Sequence, residues 1–211
     1  IEAINQRARY FDQKFNLPDV FQKRTDNRGN GDESLYGTRN FRAVLLGVMY
    51  RGGANNKYHR TNQRDNSNPL PNDGLKNLCL SEFDDAIYLY RTNYDRAPKA
   101  TQCQGPSGSV ILDYEQLSSL NLDELKVIME NVHTRILDPT KGPIYAHCWN
   151  GWHASGFASA IALRQFCNWS GAAAVSYWDR NTDGNNRQSS YEKIRNNIRN
   201  YAIREDLGIP K

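Results

Sequence analysis

A cysteine set between a short apolar strand and a small-residue helix constrains this sequence more than any other feature. Gly142-Pro143-Ile144-Tyr145-Ala146 reads as a buried strand. Phe157-Ala158-Ser159-Ala160-Ile161-Ala162-Leu163-Arg164-Gln165-Phe166 reads as a helix. Between them run His147, Cys148, Trp149, Asn150, Gly151, Trp152, His153, Ala154, Ser155 and Gly156. A strand that turns into a helix over so few residues aims free backbone N–H groups, and the positive end of the helix dipole, at one spot. Such a spot binds anions, phosphate above all, and favours a thiolate, the nucleophilic form of cysteine.

The rest of the chain supplies a frame for that turn. Ile4, Ala8, Phe11 and Phe15 have helical spacing. Asn40 to Val44 and Gly47 to Gly53 read as strand segments joined by a glycine turn. Ala54 to Asp73 is a polar connection, followed by a helix over Leu75–Phe83 and a strand over Ala86–Tyr90. Asn93 to Gly108, with Cys103, is expected to be a loop, and Val110-Ile111-Leu112 a strand running into Asp113. Leu122, Leu125, Ile128, Met129 and Val132 mark an amphipathic helix that Asn121 or Ser119 caps. Ala172–Trp178 and the set Tyr191, Ile194, Ile198 and Tyr201 complete the helices. This β-α-β rhythm predicts an α/β sheet covered by helices. The 211 residues suit a single domain, 1–211, with a helical extension over 1–39 and a core over 40–201.

Charge and hydropathy narrow the partners. The net charge of +4 suits an anionic substrate, but no basic tract points to nucleic acid. Mean hydropathy is −0.78, and no apolar run approaches the ~20 residues of a membrane span. Cys79 and Cys103 pair if the protein is exported, to the periplasm or outside the cell, and stay reduced in the cytoplasm; both readings are open. A start at Ile1 fits a trimmed chain or a processed leader. Asp179 to Asn185 has the opening of a calcium loop, but Ser190 stands where its closing glutamate belongs, so no metal is expected.

His147-Cys148, five residues, Ala154 and then Ser155-Gly156 resembles the phosphate-binding loop of the protein tyrosine phosphatase superfamily. That family's pattern is His-Cys, five residues, Arg, Ser or Thr, and usually Gly, and Gly151 matches its internal glycine. Tyr50-Arg51-Gly52-Gly53 is similar to the opening segment of bacterial dual-specificity-type phosphatases, where a strand ends in Tyr-Arg-Ser-Gly. The resemblance covers roughly residues 40–201 in general order and implies a mostly parallel central sheet flanked by helices. It implies a phosphomonoesterase without cofactor, working through a cysteinyl-phosphate. Cys148 is then the nucleophile, His147 holds the loop and helps keep the thiol ionised, and Ser155 aids departure of the sulfur. The amides from Trp149 to Ser155 hold the phosphoryl oxygens. A general acid is expected upstream, with Asp113 first, Asp123 second and Asp138 too near the central strand.

One position departs from the pattern: Ala154 fills the slot of the arginine that grips two phosphate oxygens. His153, Arg180 and Arg51 are the candidate replacements, with Trp149 and Trp152 as pocket walls. Arg51 also has the simpler reading of a surface ion pair. Three functions fit. The first is an active phosphatase acting on a phosphoprotein or on a phosphorylated small molecule such as an inositol phosphate, as in the phytase-like branch. The second is a pseudophosphatase that holds phosphate without turnover. The third is another cysteine enzyme on an α/β sheet, such as a rhodanese-like sulfurtransferase.

Overall fold

The computed structural model describes residues 1–54, 56–64 and 69–209, so the connection expected over Ala54–Asp73 falls partly outside the described residues. In chain order the elements are α1 (Glu2–Phe15), β1 (Arg39–Leu45), β2 (Met49–Gly53), α2 (Asn72–Leu80), β3 (Asp85–Tyr88) and β4 (Ala100–Gly105). Then come β5 (Gly108–Gln116), α3 (Leu122–Leu137), β6 (Ile144–Cys148), α4 (Ala154–Cys167), α5 (Gly171–Arg180) and α6 (Glu192–Arg199). The strands form one sheet in the order β1-β2-β6-β3-β5-β4. The three inner pairings are parallel, and the two outer ones antiparallel. This is the α/β architecture expected, with β6 at its centre.

Strand alternation divides the core into two faces. Ile144, Ala146 and Cys148 of β6 join the apolar cluster of α3, α4 and α5. Tyr145 faces the other way, where Phe41 and Tyr50 stack near it with Phe83 at their edges. The N-terminal helix completes that second face by inserting Phe11 and Phe15, both buried, against Tyr50 and Phe41.

Local chemistry explains the helices beside the site. Asn121 caps α3, its Oδ1 accepting the N–H groups of Asp123 and Glu124. Small residues let α4 sit buried on nearly every side, from Ala154 to Leu163.

One expected loop is in fact a strand. The 93–108 stretch contains β4, which pairs antiparallel with β5 as the sheet's edge. Its sequence, Ala-Thr-Gln-Cys-Gln-Gly, buries only Cys103, so no apolar alternation marks it. A disulfide joins Cys79 of α2 to Cys103 of β4 and closes a separation of 24 residues. In the chain-entropy account such a link contributes about 3 kcal/mol.

Candidate active site

Cys148 ends β6, and α4 begins at Ala154, so the intervening residues form a tight loop at the carboxyl end of the parallel strands. Every carbonyl of that loop is held by a donor from outside it. His147 Nδ1 lies 3.0 Å from the Cys148 oxygen. The Ala54 N–H donates to Trp149 at 3.0 Å, and Asn40 Nδ2 to Asn150 at 2.7 Å. Arg51 Nη2 donates to Gly151 at 2.5 Å and to Trp152 at 3.2 Å. Trp178 Nε1 donates to His153 at 3.1 Å, and Ser119 Oγ to Ala154 at 3.1 Å.

In a trans peptide the N–H points opposite the C=O of the same unit. Carbonyls turned outward therefore turn the amides of Trp149, Asn150 and Trp152 to Ser155 inward, while the Gly53–Asn150 bridge aims the Gly151 amide at β2. Among the described residues, the amides of Trp149, Asn150 and Trp152 to Ser155 donate to no protein acceptor. Buried amides without partners are costly, and a ring of them at a helix N-terminus is a cradle for an oxyanion.

Two glycines let the loop close on β2. A Cβ on Gly53 would stand 2.5 Å from Asn150 C and from Trp149 O. Gly151 has φ +76°, and its own Cβ would meet Gly52 C at 2.7 Å.

Cys148 is buried, and its Sγ lies 3.4 Å from Ser155 Oγ. Arg51 Nη2 donates to that same hydroxyl at 3.0 Å. Arg51 is wholly buried, with its guanidinium 5.9 Å from the Tyr177 ring centre. It thus serves the loop from behind, by fixing carbonyls and Ser155, and not as a surface pair.

His147 is also fully buried, stacked on Tyr88, Tyr114 and Tyr145. The network assigns its tautomer. The Leu70 N–H donates to Tyr114 OH at 3.0 Å. The Tyr114 hydroxyl, 2.7 Å from Nε2, then donates to His147, which leaves Nδ1–H for the Cys148 carbonyl. Burial pushes the His147 pKa down to about 4. The ring is neutral near pH 7 and holds the loop through the Cys148 carbonyl.

The remaining expected residues divide. Trp149 Nε1 donates to Tyr88 OH at 3.1 Å, and its ring meets Tyr90 edge-on. Trp152 Nε1 donates to Asp183 at 3.1 Å. Ala154 is buried, its methyl in the apolar cluster. His153 is pushed by burial below its ordinary pKa, stacks on Tyr191 at 4.4 Å and bonds the Asn185 carbonyl, so it is not the missing cation. Arg180 stacks on Phe21 at 3.6 Å instead of entering the loop.

The expected acid is misplaced. Asp113 pairs with Asp85, and Asp85 with Ile144, four positions before Cys148 in β6. At about 3.3 Å per residue, Asp113 sits roughly 13 Å back along the sheet, at its opposite end. The expected strand runs on to Gln116, and it is Gln116 that reaches the level of His147 through Tyr88. Asp138 is also at that far end, beside the Arg7 guanidinium. Asp123 is exposed in the first turn of α3 and pairs with Lys126. Among the described residues, Asp183 is the carboxylate bonded to a loop side chain. Burial raises its pKa, but Lys23 and Arg42 outweigh that and hold it below its ordinary value, as an anion.

Several supports escaped the sequence. Asn40 has φ 53° at an irregularity in β1 and reaches Asn150 O. Arg39 Nη1 donates to Asn150 Oδ1 at 2.6 Å, and Ser119 docks the segment after β5 onto Ala154. A polar pair at the head of a buried strand, Arg39-Asn40, was the one available signal. A cavity of about 500 Å³ opens elsewhere, at the far end near Asp84 and Gly142. Its Arg7 is occupied with the carbonyls of Arg135 and Asp138, so it adds nothing to the loop.

No family model and no curated protein matches the chain. Several solved structures are similar to it, among them these three. One is Tk-PTP in its active form, at 13% identity and TM-score 0.47, over 75% of this chain and 95% of the other. Another is TpbA of P. aeruginosa, at 14% and 0.43, over 76% and 91%. The third is the core catalytic domain of the PP-IP phosphatase SIW14 from S. cerevisiae, in complex with citrate, at 18% and 0.47, over 77% and 85%. At these values the likenesses carry no functional weight.

Proposed function

We propose that this chain is a cysteine-dependent phosphomonoesterase of the protein tyrosine phosphatase type. The observation that carries the reading is the set of outward-tied carbonyls around Cys148, because it leaves an inward ring of amides for a phosphoryl group. The Cys148 thiolate attacks phosphorus, forming an S–P bond as the bond to the leaving oxygen breaks. Water then attacks phosphorus, the S–P bond breaks, inorganic phosphate leaves, and the thiolate is regenerated with Ser155 hydrogen-bonding the departing sulfur. The inward amides hold the equatorial oxygens in both steps.

Aryl phosphates are the best substrates on this reading. Asp183 is anionic and Asp113 is remote, so among the described residues no carboxylic acid stands ready at the loop to protonate a poor leaving group. A phenoxide departs with less help than an alkoxide, and the Trp149–Tyr90 pair offers an aromatic wall. The disulfide favours an oxidising compartment.

Phosphate release from p-nitrophenyl phosphate and from inositol hexakisphosphate tests the proposal, with Cys148→Ser as control. Thiol-dependent release, lost by about a thousandfold or more in the variant, is expected. Vanadate binding without turnover favours the phosphate-holding module that Ala154 points to. Neither binding nor release, with thiocyanate formed from cyanide and thiosulfate, assigns the site to sulfur transfer.

A further inference from the structure

The slot of the missing loop arginine has a neighbour from another strand. Arg39 heads β1, where it pairs with Gly53, and Gly53 bridges to Asn150 of the loop. That register carries the Arg39 side chain to the two rim residues Asn150 and Trp152. Nη1 donates to Asn150 Oδ1 at 2.6 Å, Nη2 to Asn27 Oδ1 at 3.1 Å, and the guanidinium lies 5.3 Å from the Trp152 ring centre. Arg39 is 4% exposed, and its Nε–H has no partner among the described residues.

Its neighbours do not neutralise it. Its side-chain partners are two asparagines and a ring, not a carboxylate in contact. Burial lowers its pKa, while the Asp183 carboxylate pushes the other way. Arg51 also keeps Nε and Nη1 without partners among the described residues, but its Nη2 is committed to the Gly151 and Trp152 carbonyls and the Ser155 hydroxyl, which fixes it on the carbonyl side of the loop.

We propose that Arg39 supplies, from β1, the phosphate-gripping guanidinium that Ala154 has removed from the loop. This rests on the phosphatase reading above. Its Nε–H meets a phosphoryl oxygen, while Asn27, Asn150 and Trp152 hold the fork in place. Loss of a charge-assisted hydrogen bond of this kind weakens binding about ten- to a hundredfold.

Vanadate affinity and p-nitrophenyl phosphate kinetics of Arg39→Ala and Arg39→Lys test it, with Arg180→Ala as control and thermal midpoints measured without anion. Expected are an Arg39→Ala protein that folds with a lower thermal midpoint, because Asn27 and Asn150 lose a partner, binds vanadate at least about tenfold more weakly, and regains kcat on addition of guanidinium. If Arg39→Ala does not fold, Arg39→Lys decides, because it keeps the charge and loses the fork. Parental vanadate affinity in whichever variant folds overturns the assignment. A parent chain that binds no vanadate overturns the phosphatase reading instead, and the two failures are thereby told apart.

Discussion

His147 and Arg51 divide the work of holding Cys148 between a neutral ring and a buried cation. Both turn carbonyls away from the sulfur, and Arg51 also engages the hydroxyl beside it. The neutrality of His147 has a consequence for stability. An unfolded histidine titrates near 6.5, the folded one near 4. Between those values the unfolded chain holds the extra proton, so stability is full above about pH 6.5 and falls as the pH drops through 4. The loss is up to about 3 kcal/mol. Urea unfolding of the parent and of His147→Asn at pH 7 and pH 4.5 checks this. The parent should lose stability on acidification more steeply than the variant; equal slopes would show that His147 does not carry the effect. At this scale Cys148, His147, Ser155 and Arg51 were legible, because they are contiguous or stand in a short motif. Arg39, Asn40 and Ser119 were not. Asn40 and Asn150 are separated by 110 residues and meet only once β1 has found β2.

Between elements, the closest fit is that of β2 against the loop. Gly53 leaves no room for a side chain: its nearest neighbours are backbone atoms of Trp149, Asn150 and Gly151, all within 2.6 Å of a hypothetical Cβ. Gly53→Ala must therefore displace the loop or the strand. A stability loss of about 1–3 kcal/mol is expected, the usual range for overpacking, together with weaker vanadate binding by equilibrium dialysis. Unchanged affinity would mean that the loop's shape is not set by β2. The helices and inner strands declared themselves through periodicity. Two features did not. The edge strand β4 is too polar to show alternation, and the end of β5 was placed too early. Leu112 and Tyr114 are buried with Asp113 exposed between them, so the alternation that continues past Asp113 was the signal that the strand had not ended. Reading it would have moved the acid search to the segment after Gln116, where Ser118, Ser119 and Leu120 offer no carboxylate.

Over the whole molecule, charge gathers at the loop end of the sheet, while the covalent link lies at the sheet's edge. Lys23, Arg39, Arg42 and Arg51 gather around or behind the loop, with Asp183 as the acidic partner of the first and third. A loop that lacks its own arginine is thus set in a buried cationic environment, which suits a dianion entering from solvent. The Cys79–Cys103 link secures the far edge of the sheet. Among the described residues no helix is long and apolar enough to cross a membrane. All of this matters for function only if the amides around Cys148 do hold a tetrahedral oxyanion. A crystal structure of the protein with tungstate measures that most directly. The account predicts the anion seated over the sulfur, its oxygens about 2.9 Å from amides between Trp149 and Ser155. An empty loop at saturating tungstate, or carbonyls turned toward the sulfur, would contradict it.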